Sequence, residues 1–393
     1  MTQQNKNRHP IWAIAGREVK RLVSRPLYIF AMIIAPVFSA VFFLTLMEEG
    51  LPIELPIAVV DQDNTETSRN LARQLGAFEQ VGVVMQCGDF TEARKAMQRG
   101  EIYGIFLIPQ GFTVEASTGK QPTLSYYTNY SFLIAGSLVY RDMRTMATLA
   151  GAAVGLQMGL AKGYTERQIM GQLQPIVVDT HALGNPWLNY SVYLNNVLVP
   201  GVLELMIFLV TVFCIGTEIK MGTSREWLRM GNNSLFISLI GKLLPHTIIF
   251  SIVGIALCSG LYGYAGFPLL SGWLPMVADV ILLVLASQAM GIFMIGVLPT
   301  LRLGLSFASL FGVIAFSISG FTYPVPSMDP TLQAITNLFP LRHYFLIYVD
   351  QALNGRDIYY SWPQYLMLAA FLILPFLIAR NLKKALLYFK YIP

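Results

Sequence analysis

The chain has 393 residues, 54% of them hydrophobic and only 12% charged, where a soluble domain carries about 25% charged residues. With a mean hydropathy of +0.54, this excludes a disordered, fibrous or disulfide-stapled chain and argues against a purely water-soluble enzyme. The formal charge of +5 is uneven: residues 48–190 hold 10 Lys/Arg against 14 Asp/Glu, leaving 17 and 8 for the remainder, a balance that suits a membrane protein with basic cytoplasmic ends rather than a nucleic-acid binder.

Residues 1–26 carry Lys6, Arg8, Arg17, Lys20, Arg21 and Arg25. No small-residue cleavage site follows the next apolar run, so a cleavable signal peptide is not expected. On a helical wheel Ile11, Trp12, Ile14, Ala15, Val19 and Leu22 share one broad arc, with Arg17, Lys20 and Arg21 opposite. That pattern predicts an amphipathic helix lying on the cytoplasmic leaflet; a bare orientation signal is the alternative. Residues 27–47 are uncharged and long enough for a first span, since about 20 apolar residues cross a hydrocarbon core.

Residues 48–190 read as an α/β extracytoplasmic domain inserted between helices 1 and 2. Strands are expected at 56–60, 81–85, 103–108 and 123–127, with helices at 65–75, 91–99 and 131–160. Asp61-Gln62-Asp63-Asn64 has the look of a calcium-loop fragment, but the Gly and distal Glu such a loop needs are absent, and a capped turn is the better reading. One thiol, Cys87, lies in this domain and cannot form a disulfide within it.

Five further spans follow, at 195–217, 243–264, 273–298, 303–323 and 358–379. They are separated by a loop at 218–242, turns, and a Gly/Pro-rich external segment at 324–357. The fold class is thus an α-helical polytopic membrane protein of six spans. Lys220, Arg225, Arg229, Lys242 and Arg302, with the tail at 380–393 (Arg380, Lys383, Lys384, Lys390), put both termini in the cytoplasm by the positive-inside rule. Glu204 and Asp279 fall inside apolar spans, where a charge costs about 2.5–3.5 kcal/mol. Glu204 belongs either to a polar pathway or protonatable site, or to a pairing with polar groups of a neighbouring helix. Asp279 is near enough to the outer end of its span to reach the interface.

Enzyme constellations are missing. His9, His181, His246 and His343 are scattered without a paired ligand, there is no Gly-x-Ser-x-Gly elbow, and there is no phosphate-binding loop for ATP. No catalytic residue, metal or bound cofactor is therefore expected of this chain itself. The loop at 218–242 is the most informative cytoplasmic feature. Thr223 or Ser224 starts a short amphipathic helix with Glu226 in its first turn, Trp227 and Leu228 at its centre and Gly231 at its end. Such a helix is suited to dock on a cytoplasmic partner, an ordinary solvated loop being the alternative.

The order of these parts resembles the ABC-2 type permease family, in its branch of drug and lipid exporters with a large outer domain. Ile57-Ala58-Val59-Val60-Asp61-Gln62-Asp63-Asn64 with Ser68-Arg69, and Arg99 to Phe112 with its Ile108-Pro109-Gln110-Gly111-Phe112 phrase, resemble the family's outer domain. Glu218 to Glu226 and Gly241 to Pro245 look like its coupling helix and the start of its third span. Ser319 to Met328 and Asn337 to Tyr344 look like the end of the fifth span and the elbow after it, although Asp329 stands between Met328 and Pro330, where the family often has Pro directly. The resemblance implies a permease subunit of an ATP-driven exporter of an amphiphile such as a drug or lipid, in a bacterial inner membrane. ATP and Mg would sit on a separate ATP-binding subunit. A second permease chain, like or unlike, would complete the dimer, and a periplasmic adaptor is a further possible partner. ATPase coupling would fall to Glu218, Thr223, Arg225, Glu226, Trp227 and Leu228, and a path along spans one, two and five to Asn195, Asn196, Glu204 and Tyr323. The competing classes are a receptor or scaffold with an outer ligand-binding domain, and a proton-coupled transporter using Glu204.

Overall fold

The structure, a computed structural model, describes residues 9–388; Lys6, Arg8 and Lys390 lie outside the described residues. Two compact units are present, one made of the described residues up to Glu48 and from Ala182 onward, the other of Glu49–His181. The first opens with α1 (Pro10–Ser24), whose leading proline lacks an N–H that would be unpaired at that position anyway. Span one, Pro26–Leu46, follows. It widens into a π-helical turn at Phe30–Ile34, directly before Pro36, a residue that cannot donate to the turn behind it.

The unit Glu49–His181 contains, in order, β1 (Leu55–Asp61), α2 (Glu66–Leu75), β2 (Val81–Cys87), α3 (Phe90–Gln98), β3 (Gly104–Ile108), α4 (Phe112–Ser117), β4 (Ser125–Thr128), α5 (Leu133–Ala161) and α6 (Glu166–Leu173). The sheet order is β2-β1-β3-β4, with β4 antiparallel to β3 and the rest parallel. Parallel strands need both faces covered. Ile57 and Val59 of β1 accordingly pack on one side with Leu71, Leu75, Val139 and Met143, while Ala58 and Val60 pack on the other with Ala93 and Ala96. The Asp61 turn is capped: Asp61 Oδ1 accepts the N–H groups of Asp63 and Asn64 at 3.0 Å, and Thr65 caps α2. The short helices α4 and α6 escaped the sequence reading. α6 is only eight residues long and packs on α5, where Gly155 and Gly159 admit Leu173 and Ile169. The unit ends at His181, short of residue 190.

In the first unit the remaining spans are Tyr190–Lys220, Leu235–Tyr264, Trp273–Val297, Leu301–Ile318 and Ile358–Tyr388. Between them lie α7 (Ser224–Met230), α8 (Pro330–Thr336) and α9 (Pro340–Tyr348). Spans two and four form the centre, 67% and 72% buried, against 17% for span one and 28% for spans five and six. Spans two, three and six run beyond the stretches expected from sequence. Span three begins at Leu235, ahead of the apolar run from residue 243, because the intervening Lys242 is turned inward and fully buried. Span five instead stops at Ile318, short of residue 323, since Gly320 takes a φ of +103° and Arg342 donates to the carbonyl of Ser319 at 2.9 Å.

Candidate functional site

The wide apolar arc of α1 is divided in the structure into two faces. Ile14, Ala15, Glu18 and Leu22 are buried, while Trp12, Val19 and Val23 are exposed. A third face carries Arg17, Lys20 and Arg21. Gly241 of span three lets the α1 backbone come close, since a Cβ there would stand 2.9 Å from the Ile11 carbonyl oxygen.

Glu18 is an acid at the centre of the buried face, and it organises the site. Its Oε2 accepts from Lys242 Nζ at 2.7 Å, and its Oε1 lies 3.2 Å from His246 Nε2. Lys242 also donates to Glu218 Oε1 at 3.0 Å. Arg17 donates to Glu218 Oε2 at 3.1 Å, and Arg21 and the Thr223 hydroxyl donate to the same carboxylate. Glu218 therefore ends span two at a junction that joins α1, the loop before α7, and span three. The Lys242 ammonium sits 5.3 Å from the centre of the Trp227 ring, and Trp227 in turn donates from Nε1 to the Ser238 carbonyl at 3.2 Å.

A buried ion pair is stable only where its geometry is good and the remaining donors and acceptors are satisfied. Here two carboxylates are enclosed by Lys242 and by two arginines at the rim, so neither is left uncompensated. Burial alone would raise the Glu18 carboxyl, but the His246 hydrogen bond and the Lys242 charge outweigh it and hold Glu18 at about 2. The ligand atoms of Glu18, Cys214 and His246 fall within 4.8 Å of one another. A metal ion fits poorly there, because the Lys242 ammonium already sits on the same carboxylate.

Beside this network α1 and α7 enclose a polar cleft of about 690 Å³, lined by Arg17, Lys20, Arg21 and Arg25 on one side and by Glu226 and Met230 on the other. The six residues singled out in the loop have separate placements. Glu218 and Thr223 belong to the network, and Glu226 is exposed at the cleft. Trp227 and Leu228 are buried in the chain's own core rather than presented outward. Arg225 donates to the Leu387 carbonyl at 3.0 and 2.8 Å, and Ser224 donates to that of Leu386 at 2.6 Å, so α7 is also fastened to the end of span six. Glu18, Lys242 and His246 were missed as site residues. The available signal was an acid in the middle of an apolar arc.

A second feature is an apolar groove of about 910 Å³ between spans one, two and five, with Tyr28, Phe30, Met206, Phe213, Ser309 and Leu310 on its walls. The four residues expected on a path do not line it. Asn195 and Asn196 are buried, donating to Ser191 Oγ and to the Val192 carbonyl at 2.9 Å each. Glu204 is buried and accepts the N–H of Leu341, in the first turn of α9, at 3.2 Å. It thus pairs with a helix end, where a carboxylate meets both free N–H groups and the positive end of the dipole. Tyr323 is exposed, with its hydroxyl 3.4 Å from the Ser327 carbonyl. Asp279 corrects the sequence expectation: it does not reach an interface but is fully buried, and neither carboxylate oxygen has a partner among the described residues.

Among the described residues, six helices long and apolar enough to span a bilayer, with an α/β insert after the first, define a polytopic membrane protein. The chain belongs to the ABC-2 family of transporter proteins, whose pattern it matches over residues 26–380. It is 22% identical over 341 residues to the "Probable multidrug ABC transporter permease YbhR" of Escherichia coli K12, covering 86% of this chain and 88% of that one. It is 29% identical over 116 residues, 30% of each chain, to the "Linearmycin resistance permease protein LnrN" of Bacillus subtilis 168. The chain is accordingly a membrane permease of the ABC exporter class, a transport subunit rather than an enzyme by itself.

Proposed function

We propose that this permease moves an amphiphilic compound, a drug or lipid, out of the cytoplasm or inner membrane, driven by a separate ATP-binding subunit that binds ATP and Mg. Both termini and α7 face the cytoplasm of a bacterial cell, and Glu49–His181 lies on the periplasmic side, where it gates release or meets an adaptor. Two permease chains, like or unlike, face each other across the apolar groove of spans one, two and five. The ATPase subunit docks at the cleft, on Glu226 and Arg229 of α7 and Lys20 of α1.

The observation that carries this reading is the Glu18–Lys242–Glu218 network. A push on α7 reaches Glu218 through Thr223 and Trp227, and Glu218 ends span two, which forms a wall of the groove. Chemistry at a distant ATPase site thereby has a contiguous packed route to the substrate path. The names of the relatives, a multidrug permease and a linearmycin resistance permease, support an amphiphilic cargo.

The test is purification of the tagged chain in mild detergent, followed by an ATPase assay on whatever assembles with it. A stoichiometric ATP-binding protein is expected, and it should be lost in the charge-reversed pair Glu226→Lys with Arg229→Glu. Recovery of a folded chain from its native cells without any nucleotide-hydrolysing partner would overturn the proposal in favour of a receptor or scaffold.

A further inference from the structure

Spans three, four and six enclose another recess, of about 370 Å³, distinct from the groove of spans one, two and five. Its walls are apolar, among them Leu243, Leu285, Ile292 and Pro375. At its rim Ile240, Leu372 and Phe376 are exposed. The irregularity of span six shapes it. Pro375 removes a backbone donor, and the helix tightens to a 3-10 turn at Phe371–Ile373 just before, which interrupts regular packing beside Leu372. Phe236 stacks on Phe376 with ring centres 4.6 Å apart, adding an aromatic wall.

Two neighbouring polar side chains, Thr247 and Gln288, line this recess. Gln288 of span four is 4% exposed. Gln288 Oε1 lies 2.7 Å from the Thr247 hydroxyl, which also faces the Leu243 carbonyl at 3.0 Å, and Gln288 Nε2 has no acceptor among the described residues. A buried donor left without a partner costs about 1–3 kcal/mol. An apolar recess of this size with one small polar cluster has the usual make-up of a small-molecule site, for which volumes of about 300–1,000 Å³ are common.

We infer that the recess binds a neutral, membrane-soluble molecule whose carbonyl oxygen accepts a hydrogen bond from Gln288 Nε2. Depth excludes a charged headgroup. Gln288 lies nine residues inside the end of span four at Val297, roughly 13 Å along a helix axis, below the level at which lipid headgroups sit. The aromatic pair Phe236 and Phe376 favours a molecule with a ring beside the carbonyl.

Benzophenone is a suitable probe, being neutral, aromatic, built on one carbonyl and photoreactive towards neighbouring C–H bonds. Irradiation of the purified full-length permease with benzophenone, followed by peptide mapping, should label segments 236–247, 285–292 and 372–376. Diphenylmethane, which keeps the rings and lacks the oxygen, should compete about 5–10-fold less well than unlabelled benzophenone, the equivalent of one hydrogen bond. In Gln288→Leu the two competitors should become equal while the protein keeps its melting temperature. Equal competition in the wild type would overturn the proposal, as would labelling spread evenly over lipid-facing positions or concentrated in the groove of spans one, two and five. Should Gln288→Leu fold poorly, Leu285→Trp at the wall serves instead, and unchanged labelling in it would count against the site.

Discussion

Lys242 and Glu18 meet at 2.7 Å although 224 positions separate them in the chain. Replacing Lys242 by Met should therefore cost stability out of proportion to one contact, because Glu18 and Glu218 are then left buried with less compensation. Breaking a buried pair from one side costs about 3–5 kcal/mol. Thermal unfolding in detergent should show a large drop for Lys242→Met, partly restored when Glu18→Gln is added. A single variant as stable as the wild type would show that the network contributes little.

The same network sets an acid limit. Glu18 is held at about 2 against an ordinary 4.5. A carboxyl with a depressed folded-state pKa stabilises the fold fully above its unfolded value and loses that contribution as pH falls through the folded one. Stability should thus decline between about pH 4.5 and pH 2, by an amount on the order of 3 kcal/mol from this group. Melting curves across that window should be flatter for Glu18→Gln than for the wild type. Parallel curves would remove Glu18 from the account.

Neighbours on α7 should behave differently from one another. Trp227 is fully buried and Glu226 exposed. Trp227→Ala should open a cavity costing about 3–5 kcal/mol, whereas Glu226→Ala should leave the melting temperature within about a degree and change only ATPase stimulation in the assembled complex. If Glu226→Ala melts as early as Trp227→Ala, the exposed face of α7 is not the docking face.

Glu204 discriminates between transport mechanisms. As the partner of the α9 N-terminus it needs an acceptor oxygen, which Glu204→Gln retains and Glu204→Ala removes, at a cost of about 0.5–2 kcal/mol. Export measured in vesicles should survive Glu204→Gln and weaken with Glu204→Ala. Abolition by the Gln variant alone would support a proton-coupled mechanism instead.

The helices that cross the bilayer were legible because hydrocarbon imposes one requirement on every residue in turn, and runs such as 27–47 meet it visibly. The ionic junction was not. Lys242 counted as a loop charge because a basic residue before an apolar run ordinarily faces water, and only its partners on α1 and span two explain why it is buried. Glu218 stands out in sequence with its loop neighbours, but its partners Arg17 and Arg21 look there like the charged side of a helix lying on the leaflet. The polar residues expected on a path lie away from the groove. Asn195, Asn196 and Glu204 stand out in an apolar run; each is held by a local or neighbouring-helix hydrogen bond and keeps one oxygen without a partner among the described residues, and the groove itself is walled by residues that composition does not single out.

The wide sequence separation of the network has a consequence for how the protein is made. Translation proceeds at about 5–20 residues per second, so roughly 10–45 s pass after Glu18 is synthesised before Lys242 exists to meet it. Throughout that interval span one is available for insertion while α1 has neither its ammonium partner nor the surface around Gly241 on which it lies. Nascent chains arrested before residue 242 should keep α1 open to protease, and those extended past His246 should close it. The ionic junction is in this sense also the point at which the amino-terminal helix is first committed to the bundle.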